Sequence, residues 1–306
     1  MNGTVTASWP LLVAVLGVLV LATGLVAGLG RLGLTRQVVT ASVRAAVQLT
    51  AVSVIIVAVL RSAGLTAAFV VIMYVIASLT AARRMTRDRS GGWAGLAIAA
   101  GVLPVLGLLL GTGLVATRPV AVLPIAGILI GGAMTASGLG GRRALDDLRQ
   151  RRGEYEARLA LGFPGRVARR DVVRPAAAQA LLPAIDQTRT VGLVTLPGAF
   201  VGVLLGGASP VQAGVTQLLV LIGLLAIETI AVLVVIELVA AGLIRPGAGR
   251  DEPARPRQEP TGRWRRARTT ASRWRGGAAG SWRHGRTAGR TGSRTVRRRR
   301  GGGGLP

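Results

Sequence analysis

The chain has 306 residues, half of them hydrophobic, and a formal charge of +26. It contains no cysteine and no lysine, which excludes disulfides, thiolate and iron–sulfur chemistry, a lysine Schiff base and a G-x-x-x-x-G-K-[ST] phosphate loop. The single histidine, His284, lies in an arginine-rich tail, so carboxylates and hydroxyls are the main chemical groups left to the apolar part.

The charge is unevenly spread. Residues 1–244 carry 20 Arg against 9 acidic residues, and residues 245–306 carry 18 against 3. Apolar runs of about 20 residues with charges swept to their ends indicate membrane spans rather than soluble core helices. Trp9-Pro10 opens the first, over 9–30. It lacks the basic start of a signal peptide and exceeds the ~7–15-residue apolar core of one. Further spans are expected at 38–60, 64–82, 93–115 and 120–140, followed by a charged segment at 141–187. The uncharged stretch after Arg189 is interrupted by Gly206-Gly207-Ala208-Ser209-Pro210, a turn signal. That gives spans at 190–206 and 214–244, the first short enough for a tilted or re-entrant segment to remain open.

Seven spans agree with the positive-inside bias. Arg31 and Arg36, then Arg83, Arg84, Arg87 and Arg89, then eleven Arg in 141–189, and finally the tail all fall on one side. This expectation places the N-terminus outside and the C-terminus in the cytoplasm of a multi-pass plasma-membrane (inner-membrane) protein. The fold expected is all-α: a polytopic helical transmembrane domain over 1–244, and a disordered basic tail over 245–306. The tail mixes Arg and Gly with Trp264, Trp274 and Trp282. It cannot bury a core and is expected to lie on anionic lipid or to have no partner at all. Specific nucleic-acid binding is not expected.

Within 141–187, Asp146-Asp147 through Arg158 read as a polar helix, supported by Glu154 and Arg158 at i,i+4. Glu156-Ala157-Arg158-Leu159-Ala160-Leu161-Gly162 follows, and then Val172-Val173-Arg174-Pro175. Glu156, Ala157, Gly162, Val172 and Pro175 stand where the EAA loop of ABC-transporter permeases has Glu, Ala, Gly, an apolar residue and Pro, which this segment therefore resembles. Arg158 replaces the second Ala and Arg174 the usual Leu. The alternative is an ordinary helical loop between two spans.

Flanking blocks extend the likeness. They are Arg44-x-x-x-Gln48-Leu49, Leu123-Pro124-Ile125-Ala126-Gly127-Ile128-Leu129-Ile130-Gly131-Gly132-Ala133-Met134, and Val191-Gly192-Leu193-Val194-Thr195-Leu196-Pro197-Gly198 with Gly202, Gly206, Ser209-Pro210 and Gln217. Over about 36–244 the chain resembles the FetB-type permease family, associated with iron export in bacteria and with aluminium tolerance in plant relatives. The resemblance implies a permease subunit that docks a separate ATP-hydrolysing subunit through the EAA-like loop and works as a homodimer. It implies no cofactor on this chain, with ATP acting through the partner. The family pattern tends to have Asn at Gly132 and at Asp186, Met-Met at Ala199-Phe200 and Gln at Val203, so several side chains that could touch a metal are absent. The donors that remain suit a hard or complexed cation, and no metal ligand set is assigned.

Candidate intramembrane polar residues are Glu228, Arg44, Gln48, Met134 and Gln217. Glu228 lies mid-span, where an ionised carboxylate facing lipid is costly by ~2.5–3.5 kcal/mol. It is expected either to face a cation pathway or to pair with Arg44 near Gln48, the polar match at those two positions favouring the pair. Glu237, nine residues on, points to the opposite face and lies near the membrane edge. The rival functions are a membrane-embedded enzyme using Glu228 or Asp186, and a passive channel or scaffold.

Overall fold

The structure is a computed structural model and describes residues 8–247. The Arg-rich tail beyond, with its tryptophans and the expectation of disorder, lies outside the described residues. Ten α-helices form the described part: α1 (Trp9–Leu29), α2 (Thr35–Val59), α3 (Ala63–Met85), α4 (Ala94–Gly111), α5 (Pro119–Gln150), α6 (Arg152–Ala160), α7 (Gly165–Ala178), α8 (Leu182–Thr190), α9 (Gly198–Leu205) and α10 (Pro210–Ala240). The all-α polytopic membrane architecture is as expected. By length and composition, six helical stretches of the described residues can cross a membrane: α1, α2, α3, Arg89–Gly111, α5 and α10.

The expected sixth span, 190–206, differs from the rest. It is not one helix: α8 ends at Thr190, falling mostly in the expected charged segment, and an irregular stretch, 191–197, separates it from the eight-residue α9. The local chemistry explains the break. Gly192 adopts φ +81°, its N–H donates to the Thr195 carbonyl at 2.8 Å, and Pro197 has no N–H to continue a helix. The broken segment nevertheless runs most of the length of α10. Ala180, just before α8, sits beside Gly140 and Val232, whereas the Phe200 N–H in α9 donates to Gln217 Oε1 at 3.1 Å. Val232 to Gln217 is fifteen residues, about 22 Å of helix. A tight turn then hands over to α10, whose start is a capping box in which Ser209 Oγ accepts from the Gln212 N–H and the Gln212 side chain accepts from the Ser209 N–H.

Helices α3, α5 and α10 pack side by side, α4 covers them on one face, and α7 closes the end of α5 and α10. The seam is built from small residues that let backbones approach, as membrane helices require without a hydrophobic drive between them. Ala81, Ala94, Ala97, Ala126, Ala133 and Ala231 are fully buried beside Ile98, Leu129 and Ile227. At Gly101 in α4 an added Cβ would stand 2.7 Å from the Ile227 carbonyl oxygen of α10, a backbone atom that cannot rotate away. Gly101→Ala is therefore expected to destabilise the bundle by ~1–3 kcal/mol through overpacking, read as a lower melting temperature in detergent.

Helix α5 continues beyond its expected end at 140 as one 32-residue helix. It carries Arg142 through Gln150 past the apolar bundle, with Gly138 packed against Arg84 at the end of α3. The chain leaving α10 is pinned to the same end. The Arg245 N–H donates to Ser90 Oγ at 3.1 Å, Thr86 Oγ1 to the Arg245 carbonyl at 3.1 Å, and the Gly247 N–H to Thr86 Oγ1 at 2.9 Å. By contrast, the α1–α2 hairpin hangs at the flank. It contacts α3 alone to any extent, and its buried residues are Gly24 and Ala27 in α1 and Val59 in α2.

Candidate functional site

Two places collect the residues singled out in the sequence. The first is the α6–α7 hairpin at the arginine-rich end. Helix α5 breaks at Arg151, whose backbone leaves helical values (φ −102°, ψ 29°). Arg151 then ties the break together, pairing with Glu154 and with Asp147 at 3.2 Å and donating to the Val172 carbonyl of α7 at 3.2 Å. Arg158 bridges Glu154 and Asp171, both at 3.1 Å. The guanidiniums of Arg151 and then Arg158 hold the Glu154 carboxyl below its usual range. Arg169 stacks over the Tyr155 ring at 5.6 Å. This network fixes the angle between two short helices that could not hold it on their own propensity.

The hairpin turns at Gly162 with φ +88°. Its N–H reaches the Leu159 carbonyl and the Phe163 N–H the Arg158 carbonyl, at 3.0 and 3.1 Å. A C-terminal glycine of this kind ends a helix cleanly. The EAA-like residues divide by role. Glu156, Ala157, Gly162 and Pro175 are exposed, with Glu156 held by Arg152 at 2.8 Å, whereas Val172 is fully buried. Val172, Val173, Ala168 and Ala177 seat α7 on α5 and α10. Arg166 and Arg170 reach Glu237 of α10 at 2.6 and 3.6 Å, so Glu237 belongs to this end. A displacement of the hairpin therefore bears directly on α10.

Sequence reasoning passed over the most informative residues here. Leu161 is 77% exposed, Phe163 44% and Leu159 40%, three apolar side chains around the glycine of an otherwise charged hairpin. The signal was present as an apolar group flanking Gly162 inside a polar segment.

The second place is the interior of the bundle. Glu228, 8% exposed, projects from α10 towards α5. Its Oε1 would lie 2.8 Å from a Cβ at Gly132, with Leu224 nearer still, so the missing side chain at 132 makes the room it occupies. No ion pair or hydrogen bond holds Glu228 among the described residues. The expected pair with Arg44 does not form within the chain. Arg44 and Gln48 are exposed on α2, which packs on α1 and α3 and leaves the far side of the bundle to others. Met134 is half-buried against the core. Gln217 is buried and spends its Oε1 on the Phe200 N–H, which fastens the broken segment to α10. Beside that bond the irregular stretch and α10 enclose a cavity of about 300 Å³ lined by Gly192, Leu196, Pro197, Phe200, Gln217 and Leu221. Asp186 is exposed on α8, loosely paired with Arg189 at 3.7 Å. Among the described residues no three of His, Cys, Asp and Glu gather to hold a metal.

Comparison with known proteins covers the membrane part of the chain. A family model described as "Uncharacterised protein family (UPF0014)" matches residues 10–244. The chain is 32% identical over 204 residues to "UPF0014 membrane protein STAR2" of Oryza sativa subsp. japonica, covering 66% of this chain and 72% of that one. It is 33% identical over 152 residues to "Protein ALUMINUM SENSITIVE 3" of Arabidopsis thaliana, covering 49% and 56%. It is 29% identical over 143 residues to "Probable iron export permease protein FetB" of Escherichia coli (strain K12), covering 45% and 54%. No solved structure matches.

Proposed function

Because the chain belongs to the UPF0014 family, we propose that it is the membrane-spanning permease subunit of an ABC-type transporter that exports an iron-like metal ion. Energy comes from a separate nucleotide-binding ATPase, and the α6–α7 hairpin is the element that docks it. The observation that carries this reading is the exposed apolar group Leu159, Leu161 and Phe163, presented by a salt-bridged hairpin bolted to α5 and α10. An apolar patch held rigidly at the charged end of a membrane protein is a protein-docking feature. The similarity to the Escherichia coli relative named as a probable iron export permease supports the cargo class. The test is co-expression with the ATPase of the same organism. The two chains should co-purify and lower cellular iron together but not singly; failure to co-purify would reject the subunit reading.

The orientation follows from the arginines. Arg83 and Arg84 end α3, and Arg142 through Arg174 lie in the extension of α5 and in the hairpin, so this end faces the cytoplasm and the α9–α10 turn faces outside. The cysteine-free chain makes the test clean. A cysteine at Ser209 should react with an impermeant reagent applied to intact cells, and one at Gly153 should react only after lysis. The opposite pattern would invert the topology.

A further inference from the structure

The arginines at the charged end of the bundle divide into two sets. Those of the hairpin and of the α5 extension find carboxylates: Arg149, Arg151, Arg152, Arg158, Arg166 and Arg170 all pair. Those at the end of α3 do not. Arg83, Arg84, Arg87 and Arg89 are exposed, and no ion pair or side-chain hydrogen bond holds them among the described residues. The nearby carboxylates are already committed. Asp88 accepts from the Ser90 N–H at 3.2 Å, and Asp146 lies 3.4 Å from Arg149 and 3.9 Å from Arg142.

Packing of α3 on α5 adds a further cation to the unpaired set. A Cβ at Gly138 of α5 would stand 3.6 Å from both Cβ and Cδ of Arg84 and 3.8 Å from the Ala81 Cα, so the arginine stem rests on the glycine. Arg142 follows Gly138 by four residues, one turn or about 6 Å along the same side of α5, and is exposed. Its carboxylate contact is the long one to Asp146. Like charges placed in this way repel each other, and no carboxylate bridges them. Ile76 and Leu79, within about two turns before Arg84, are each 53% exposed, an apolar surface of the kind lipid covers. The arginines therefore stand at the border of hydrocarbon and water, the level of phosphate headgroups. The docking hairpin lies further out, beyond the eight residues from Arg142 to Gln150, about 12 Å of helix.

We propose that Arg84 and Arg142, with Arg83 and Arg87 next to Arg84 in the chain, bind the phosphate of an anionic phospholipid at the groove between α3 and α5. A guanidinium presents a planar fork of N–H donors that matches phosphate oxygens, and the phosphate offsets the repulsion between the two arginines. The acyl chains of the same molecule meet the apolar side of α3 marked by Ile76 and Leu79. Phosphatidylcholine carries its own cation and brings no net charge, so a headgroup such as phosphatidylglycerol is preferred. A lipid held there ties the end of α3 to the helix that leads into the hairpin.

The test places a fluorophore beside the groove. Thr80, one turn before Arg84, is changed to cysteine in the full chain, which has no other thiol. The labelled protein is reconstituted in phosphatidylcholine vesicles, and brominated phosphatidylglycerol is titrated against brominated phosphatidylcholine. Quenching by the anionic lipid is expected at a mole fraction up to ~30-fold lower, the worth of two arginines at a membrane surface. Arg84→Gln combined with Arg142→Gln should bring the two lipids level, whereas Arg118→Gln at the other end of α5 should leave the preference as it is. Equal quenching by both lipids in the unaltered protein would overturn the site. So would a preference that survives the double change; loss of co-purification with the ATPase in that variant would then assign the arginines to a protein partner. Glycerophosphoglycerol, the headgroup without chains, should not displace the lipid at equal concentration, and displacement would reject a lipid as the ligand.

Discussion

Leu161→Asp is expected to uncouple the chain from the ATPase proposed as its partner while leaving it folded and inserted. Leu161 stands at the tip of the α6–α7 hairpin, more exposed than any other apolar residue there, and no buried contact within the chain depends on it. Its burial by a partner would contribute ~1.5–3 kcal/mol, a tenfold to hundredfold change in affinity, and a carboxylate in its place adds desolvation. Gly162→Arg should act in the same direction. An added Cβ there meets nothing within 4 Å, so the fold tolerates the bulk. The left-handed backbone at φ +88° adds strain of ~1–2 kcal/mol for a residue with a side chain. The measurement is ATPase activity of the reconstituted pair against that of the ATPase alone, beside a detergent melting curve. Basal ATPase activity is the expected result for both variants, with an unchanged melting temperature for Leu161→Asp and one lowered by a few degrees for Gly162→Arg, and full stimulation in Leu161→Asp would remove the hairpin as the docking element. Val172→Ala is the useful contrast. Val172, on α7, is fully buried, so its loss should lower stability before it touches coupling.

Most of the bundle was legible because membrane spans declare themselves by length and by charge placement. Helices α1 to α3, the stretch from Arg89 to Gly111, α5 and α10 fall where long apolar runs with few charges put them. The sixth span, where a tilted or re-entrant segment stayed open, hides its break for a physical reason. Hydropathy reports the solvent of a segment and not its backbone, and Gly192 and Pro197 sit inside a run apolar enough to look unbroken. The hairpin was legible through Glu156, Ala157 and Gly162, since a helix, a glycine and a second helix have a fixed spacing. What the spacing could not say is which side chains face outward: Val172 serves the core, and Leu161 and Phe163 serve the surface. The pair proposed for Glu228 and Arg44 failed because matching depth in the membrane is not proximity. Two spans at the same level can stand on different sides of a bundle, and α2 hangs at its flank.

That failure sharpens what Glu228→Gln should do. A carboxylate held by a buried arginine would lose ~3–5 kcal/mol of stability on neutralisation, because the arginine would be left unpaired. Here no counter-ion is lost, since Glu228 has neither an ion pair nor a hydrogen bond among the described residues. Replacing a desolvated carboxylate by a neutral amide of the same shape removes a cost of burial. The melting temperature in detergent should stay or rise by a few degrees, since ~1 kcal/mol corresponds to roughly 2–4 °C for a domain of this size. Arg44→Gln should then rescue nothing. On the proposed export function, iron efflux is expected to fall to the level of cells without the chain, since Glu228 is the one acidic side chain buried in the described bundle. It opens onto the gap left by Gly132, and a cation passing α5 and α10 has no comparable charge to meet. Gly132→Ala closes that gap: its Cβ would lie 2.2 Å from Leu224 Cδ1 and 2.8 Å from Glu228 Oε1. This variant should lower efflux and stability together, by ~1–3 kcal/mol for the overpacking. A steep drop in melting temperature for Glu228→Gln with efflux intact would make the carboxylate a structural group and exclude it from the pathway.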